Sequence, residues 1–231
     1  MIPLRDDNPT THPPVITIGL ISVTILAFFW QLSLGSQVEQ AIRILGATPA
    51  ELLGKVRHET ELHHLPPELT IISSLFLHGS WMHLIGNMLF LWIFGNNVED
   101  AMGHSRFLIF YFLCGAVAVL AQALPAPESM IPMIGASGSI SGVLGAYLLL
   151  YPHARVLVLI PLGFFSRVIY LPAMVVLGFW FLLQLLSAFL SDPNQPGVAF
   201  GAHVGGFVTG MVLVVVFRRR GVRLFNPPPS V

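Results

Sequence analysis

The chain has 231 residues, 55% of them hydrophobic and only 10% charged, against about 25% charged in an ordinary soluble domain. Lys and Arg number 11 and balance 11 Asp and Glu, so no basic surface for nucleic acid is implied and nucleic acid is not an expected partner. The apolar residues cluster in blocks of roughly 18–22, the length that crosses ~30 Å of hydrocarbon, which excludes a soluble globule, a disordered chain and a fibrous repeat.

The first block runs from Val15 to Leu34. The segment before it, residues 1–14, carries Asp6, Asp7 and a single Arg, and no A-x-A-like site follows the block. It therefore reads as a retained span and not as a cleaved signal. A loop from Gly35 to about Thr70 comes next and holds five of the eleven acidic residues (Glu39, Glu51, Glu59, Glu61, Glu68). It is too long for a plain connector, so it is expected to cap the helices or to carry function. The second block covers Ser80 to Phe94, with a start as early as Ile71 allowed; the third is Phe107 to Leu124 and the fourth Ile134 to Tyr151. The fifth is Ile169 to Leu190, with Pro172 at its entry, and the sixth is Val198 to Phe217. Each is expected to be a helix, because lipid offers no partner for unpaired backbone groups. A basic tail, 218–231, ends in Pro227 to Pro229.

With an even number of spans both termini share one side. Arg5, Arg106, Arg155, Arg167, Arg218, Arg219, Arg220 and Arg223 fall on that side, and only Arg43, Lys55 and Arg57 on the other. The excess of positive charge marks the cytoplasmic face, so both termini are expected there and the loop 35–70 outside. The lone Cys114 lies in an apolar run and reads as a small core residue.

Polar residues inside apolar helices are costly and point to function. The second block opens with His78, Gly79, Ser80, Trp81, Met82 and His83 and continues to Asn87; the fourth opens with Gly135-Ala136-Ser137-Gly138, then Ser141; the sixth opens with Ala202-His203-Val204-Gly205-Gly206; the fifth holds Gln184. Blocks two, four and six run from outside to inside, so these groups share one depth in the outer leaflet, roughly 5–10 Å below the surface. Ser137, Ser141 and Gly145, with Gly138 and Gly142 beside them, and Ala202, Gly206 and Gly210 form small-xxx-small faces that permit close helix approach. His83 and Asn87, four apart, share a helix face, and Ser80 is a candidate N-cap.

Three chemistries remain open from the residues alone. A Ser with a His in reach is the nucleophile and base of acyl transfer. No carboxylate lies at that depth: beyond Asp7 the aspartates are Asp100, with Glu99 on the cytoplasmic side, and Asp192, in an external loop. A dyad of Ser137 and His203 is expected, with the imidazole positioned by packing. His83, Asn87 and the Ser137 backbone N–H, at the positive end of a helix, suit a developing oxyanion. A zinc site from His78, His83 and His203 is the second reading, weakened because no H-E-x-x-H occurs and no acid is near; His63-His64 read as a solvated or interfacial pair. A transporter or scaffold is the third, weakened by the lack of paired broken helices and of a mid-membrane acid. Trp180 and Gln184 read as packing residues, with a gating role as the alternative.

These residues resemble the rhomboid family of intramembrane serine proteases. The likeness rests on Gly135-Ala136-Ser137-Gly138, on Ala202-His203-Val204-Gly205-Gly206 with Gly210, on His78 followed by His83 and Asn87, and on Gly95 to Tyr111 with Glu99, Gly103 and Arg106. It covers about residues 70–217, and the first span and loop more loosely. It implies an all-α, six-transmembrane-helix bundle over 15–217, whose site opens outward through a water-filled cavity. It implies Ser137 as nucleophile, His203 as base and His83 and Asn87 as oxyanion donors. His78, Ser141, Gly138 and Gly206 would be structural or water-binding near the site. No cofactor and no metal are implied; the partners are the lipid bilayer and single-span transmembrane substrates, and the expected location is a bacterial inner (plasma) membrane. Two positions depart from the family pattern. The stretch Leu65 to Ser74 has no Trp-Arg pair, and Ser141 stands where some members stack a Tyr on the catalytic His.

Overall fold

The computed structural model describes residues 1–56, 65–163, 165–192, 195 and 197–226. Arg57, Glu59, Glu61, His63, His64 and Pro227 to Pro229 lie outside the described residues. In chain order the elements are β1 (Ile2–Asp6), α1 (Val15–Ser33), α2 (Val38–Leu45), α3 (Pro49–Leu52), α4 (Pro67–Ser73), α5 (Trp81–Met102), α6 (His104–Ala123), α7 (Ser137–Leu150), β2 (Arg155–Leu162), β3 (Phe165–Pro172), α8 (Ala173–Leu190) and α9 (Phe200–Phe217).

Helices α1, α6, α8 and α9 are each long and apolar enough to cross a membrane, and Pro67–Phe76 with α5, bent by 85°, make a fifth candidate. The protein is an integral, multi-pass membrane protein. Helix α7 is different: its 14 residues cover ~21 Å at 1.5 Å each, short of the ~30 Å core. The chain enters it through a non-helical stretch, residues 129–135.

Helix α7 is the centre of the bundle, packed against α5, α6, α8 and α9. Leu144, Tyr147 and Leu150 have no exposed surface. The α7–α9 contact depends on missing side chains: a Cβ at Gly206 would strike the Gly138 carbonyl, one at Gly210 the Gly142 carbonyl, and one at Gly145 the Phe207 carbonyl. Without a hydrophobic driving force between helices in lipid, such close backbone approach supplies the attraction through van der Waals contact.

The loop between α1 and α5 is tied down by backbone hydrogen bonds, in the absence of a Trp-Arg pair. Ala47 and Met133 exchange N–H···O bonds of 3.0 and 2.9 Å, Ala50 N donates to Ser129 O, and Gly135 N donates to Ser74 O. The loop thus fixes the strand-like segment that leads into Ser137.

The all-α expectation needs correction. A three-stranded antiparallel sheet, ordered β1-β2-β3, pairs Ile2 with Leu159 and Arg155 with Pro172. Residues 169–172, expected in the fifth helix, are strand, and that helix starts at Ala173 after Pro172. The stretch Arg155 to Pro172 is rich in β-branched residues, and Pro172 cannot continue a helix toward its N-terminal side without losing a bond. Helix α5 also runs beyond Phe94 to Met102, taking in Glu99. The buried Glu99 carboxylate accepts from Ile16 N, Thr17 N, Thr17 Oγ1 and His104 Nδ1 at 2.6–2.9 Å. It caps the first turn of α1 from another helix, where Pro14 offers no side-chain cap.

Candidate active site

Gly135 adopts φ +115°, open to glycine, and a Cβ there would sit 2.7 Å from His83 Cε1 and Nε2. The chain can therefore turn sharply into α7 while the His83 ring lies against the turn. Ser137 is the first residue of α7, and the first amide of this helix with an intrahelical acceptor is Ile140 N, bonded to Ala136 O. The Ser137 N–H stands among the unpaired donors that head every helix, at the positive end of the dipole.

The second residue of the expected pair sits in the opening turn of α9. His203 Nε2 lies 2.8 Å from Ser137 Oγ. The absent side chains at Gly138 and Gly206 let the two backbones approach closely enough for a short Ser to reach. The other ring nitrogen, His203 Nδ1, lies 2.7 Å from Gln184 Oε1. An amide oxygen only accepts, so Nδ1 carries the proton and Nε2 accepts from the Ser137 hydroxyl. The ring is flanked by Trp180, with centroids 6.0 Å apart, and by Phe200 edge-on at 6.3 Å. Ser141 does not reach the imidazole: its hydroxyl donates to Ser137 O at 2.6 Å.

On the opposite wall, Ser80 caps α5 by accepting from His83 N at 3.1 Å. Because His78 precedes this cap, its ring converges on the same face as His83, with centroids 4.8 Å apart. His78 is nearly fully buried. Asn87 Nδ2 donates to His78 Nε2 at 2.9 Å, and His78 Nδ1 donates to Phe76 O at 3.3 Å. Gln31 of α1 holds the His78 backbone from both sides, with Oε1 accepting from its N–H and Nε2 donating to its C=O.

His83, Asn87, Ser137, Ser141 and His203 all line one cavity of about 680 Å³. The two Pro- or Gly-containing loops also line it, one through Ala126, Ser129, Ile131 and Pro132 and the other through Ser191, Asp192, Gln195 and Gly197. Among the described residues no group of three His, Cys, Asp or Glu stands where it could hold a metal ion. His78 Nε2 and His203 Nε2 are each turned to a partner inside the protein, Asn87 and Ser137.

Sequence reasoning passed over a set of glutamines. Gln31 near the end of α1, Gln122 near the end of α6 and Gln184 in the second half of α8 each bond to a group just before or at the start of α5 or α9: His78, Ala202 N and His203. The available signal is a single glutamine in each of the first, third and fifth apolar blocks. Only Gln184 stood out, and it was read as packing.

A family model described as Rhomboid domain matches residues 67–220. Rhomboid protein 1, mitochondrial, of Saccharomyces cerevisiae is 29% identical over 155 residues, 65% of this chain and 40% of its own. Presenilin-associated rhomboid-like protein A, mitochondrial, of Danio rerio is 31% identical over 142 residues, 60% and 37% of the two chains. Rhomboid protease GluP of Bacillus subtilis is 29% identical over 198 residues, 85% of this chain and 34% of its own. The chain spans less than half the length of each of these three relatives.

Proposed function

The chain belongs to the rhomboid family, and from that premise we propose that it is an intramembrane serine endopeptidase acting on single-span transmembrane proteins. Six helices, α1 and α5 to α9, cross the bilayer, with residues 1–14 and the tail from 218 on the cytoplasmic side and the cavity open to the outside. The observation that carries the reading is the 2.8 Å contact between Ser137 Oγ and His203 Nε2 in a cavity lined by two further side-chain donors.

The chemistry follows from the positions. Ser137 Oγ attacks the scissile carbonyl while His203 Nε2 takes its proton. The tetrahedral oxyanion forms beside the head of α7, where the Ser137 N–H, Asn87 Nδ2 and His83 donate to it. The imidazolium returns its proton to the departing amine, leaving an acyl-enzyme. Water from the cavity, deprotonated by the same His203, releases the acid product. Supporting evidence for proteolysis also comes from the name of the Bacillus relative, which calls that protein a protease.

The test is labelling of the membrane-embedded chain with a fluorophosphonate probe, alongside cleavage of a reporter that has one Ala/Gly-rich span. Labelling should be lost in Ser137→Ala, and cleavage in both Ser137→Ala and His203→Ala. The double variant should be no worse than either single one, because the pair acts as a unit. Cleavage by Ser137→Ala at the wild-type rate would overturn the reading.

A further inference from the structure

We infer that Gln184 is a positioning residue for His203, an uncharged counterpart of the acid that orients the base in a triad. The inference rests on the dyad reading above and adds a third member to it.

A base that receives the Ser137 proton at Nε2 must hold its own proton at Nδ1, and the partner of Nδ1 selects that tautomer. Gln184 Oε1 is that partner, at 2.7 Å. The contact fixes two things at once: which nitrogen is basic, and the rotation of the ring that aims Nε2 at Ser137. When the imidazolium forms, the amide dipole faces the new charge. A carboxylate would do this more strongly, but an ionised acid buried against lipid-facing helices carries a desolvation cost that a neutral amide avoids.

Three observations make the contact more than incidental. Gln184 is the one amide or ionisable side chain in α8, whose sequence is otherwise apolar apart from Ser187. It lies one turn beyond Trp180, which packs against the same imidazole, so α8 presents one face to His203. The other candidate for this role, Ser141, is committed to the Ser137 carbonyl. Helix α8 is also the least buried of the long apolar helices, with 17% of its apolar window inside the protein. The Gln184 contact therefore makes the basic tautomer of His203 depend on α8 being docked.

The experiment uses the full chain reconstituted in phospholipid vesicles and the single-span reporter, with kcat, KM and the pH profile of kcat/KM measured separately. Gln184→Leu keeps the volume and removes the acceptor. Its kcat should fall roughly 10- to 100-fold, part of the contribution of a positioned base, with KM little changed. Gln184→Glu keeps an acceptor oxygen and adds a titrating group. It should recover much of kcat and displace the acid limb of the profile from its wild-type position. Should the Leu variant fail to fold, the Glu variant decides alone: an acid limb that stays at the wild-type position overturns the inference. So does an unchanged kcat in a folded Leu variant. In both cases a Ser137→Ala control that is inactive leaves the protease reading standing, whereas an active control removes that reading itself.

Discussion

At the scale of single residues, two of the catalytic candidates are each held by a polar side chain behind them. Gln184 holds His203, and His78 holds Asn87 through its Nε2. The second pair yields a prediction. One amide proton of Asn87 is committed to His78, which leaves the other for an oxyanion. Loss of one such donor costs roughly 10²–10³ in rate. Asn87→Ala is expected at or below the lower end of that range, since His83 and the Ser137 N–H remain, and His83→Ala above it. His78→Phe should approach the Asn87→Ala loss, and the two should not add, since the first acts through the second. Turnover measured on the reporter checks this; full activity in the His83→Ala, Asn87→Ala double variant would remove both from the oxyanion. Ser137, His203, His83 and Asn87 were legible as a group because chemistry-bearing residues are rare in apolar helices, and the four line one cavity. The orienting partners were not. A glutamine in a span has many structural uses, and its meaning depends on which neighbour its amide meets, which spacing along one helix does not encode.

Elements were legible where hydropathy alone decides them. The helices α1, α6, α8 and α9 begin and end within a few residues of the apolar blocks. Hydropathy failed where polar residues sit inside a helix, as in the last two turns of α5, and where apolar residues form strands. The sheet is the larger omission, because a short apolar run rich in Val, Ile and Leu fits a buried strand or a helix equally well. Its placement ties the amino-terminal segment to the central helix. Tyr147 of α7, with no exposed surface, donates to Asp6 Oδ2 at 2.5 Å. Burial pushes the Asp6 carboxyl up to about 6, against the lowering effect of the Tyr147 hydrogen bond. The folded pKa thus exceeds the ordinary 3.8, so the folded state holds this proton more tightly than the unfolded chain does. The associated stability is fully present below about pH 4, and is lost as pH rises through about 6. Thermal unfolding in detergent should therefore shift upward between pH 7 and pH 5, by roughly 2–4 °C for each kcal/mol involved. Asp6→Asn, which keeps an acceptor for Tyr147 without the charge, should flatten that slope. An identical slope in the variant would show that other groups set it.

For the whole molecule, the site's depth, its opening and its substrate class are one problem of hydration. The proposed hydrolysis consumes water, and the cavity of about 680 Å³ that Ser137 lines is the space through which water would reach it. The proposed topology makes its rim external. A cysteine at Ser191 or Gly197, in a Cys114→Ala background, should then react with an impermeant reagent added outside and not with one added on the cytoplasmic side; the reverse pattern would invert the bundle. Under the proposed function, the same geometry limits which substrates can be cut. A transmembrane substrate arrives as a helix with its carbonyls already bonded, yet Ser137 needs an extended segment to attack. Each backbone group freed in lipid costs several kcal/mol, unless the polar wall of His83, Asn87 and Ser137 takes it up. Substrates with Gly, Pro or Ser in the outer half of their span unwind at least cost. Those with Ala, Gly or Ser just before the cut fit best where the head of α7 packs closely on α9. In a reporter series, changing the outer half of one span from Gly/Ala-rich to all-Leu at constant length should lower cleavage by at least an order of magnitude, since one unsatisfied backbone group more than accounts for the ~1.4 kcal/mol that a tenfold change requires. Equal rates across the series at equal expression would mean that the site selects by side-chain fit alone, and that unwinding occurs before the substrate reaches the cavity.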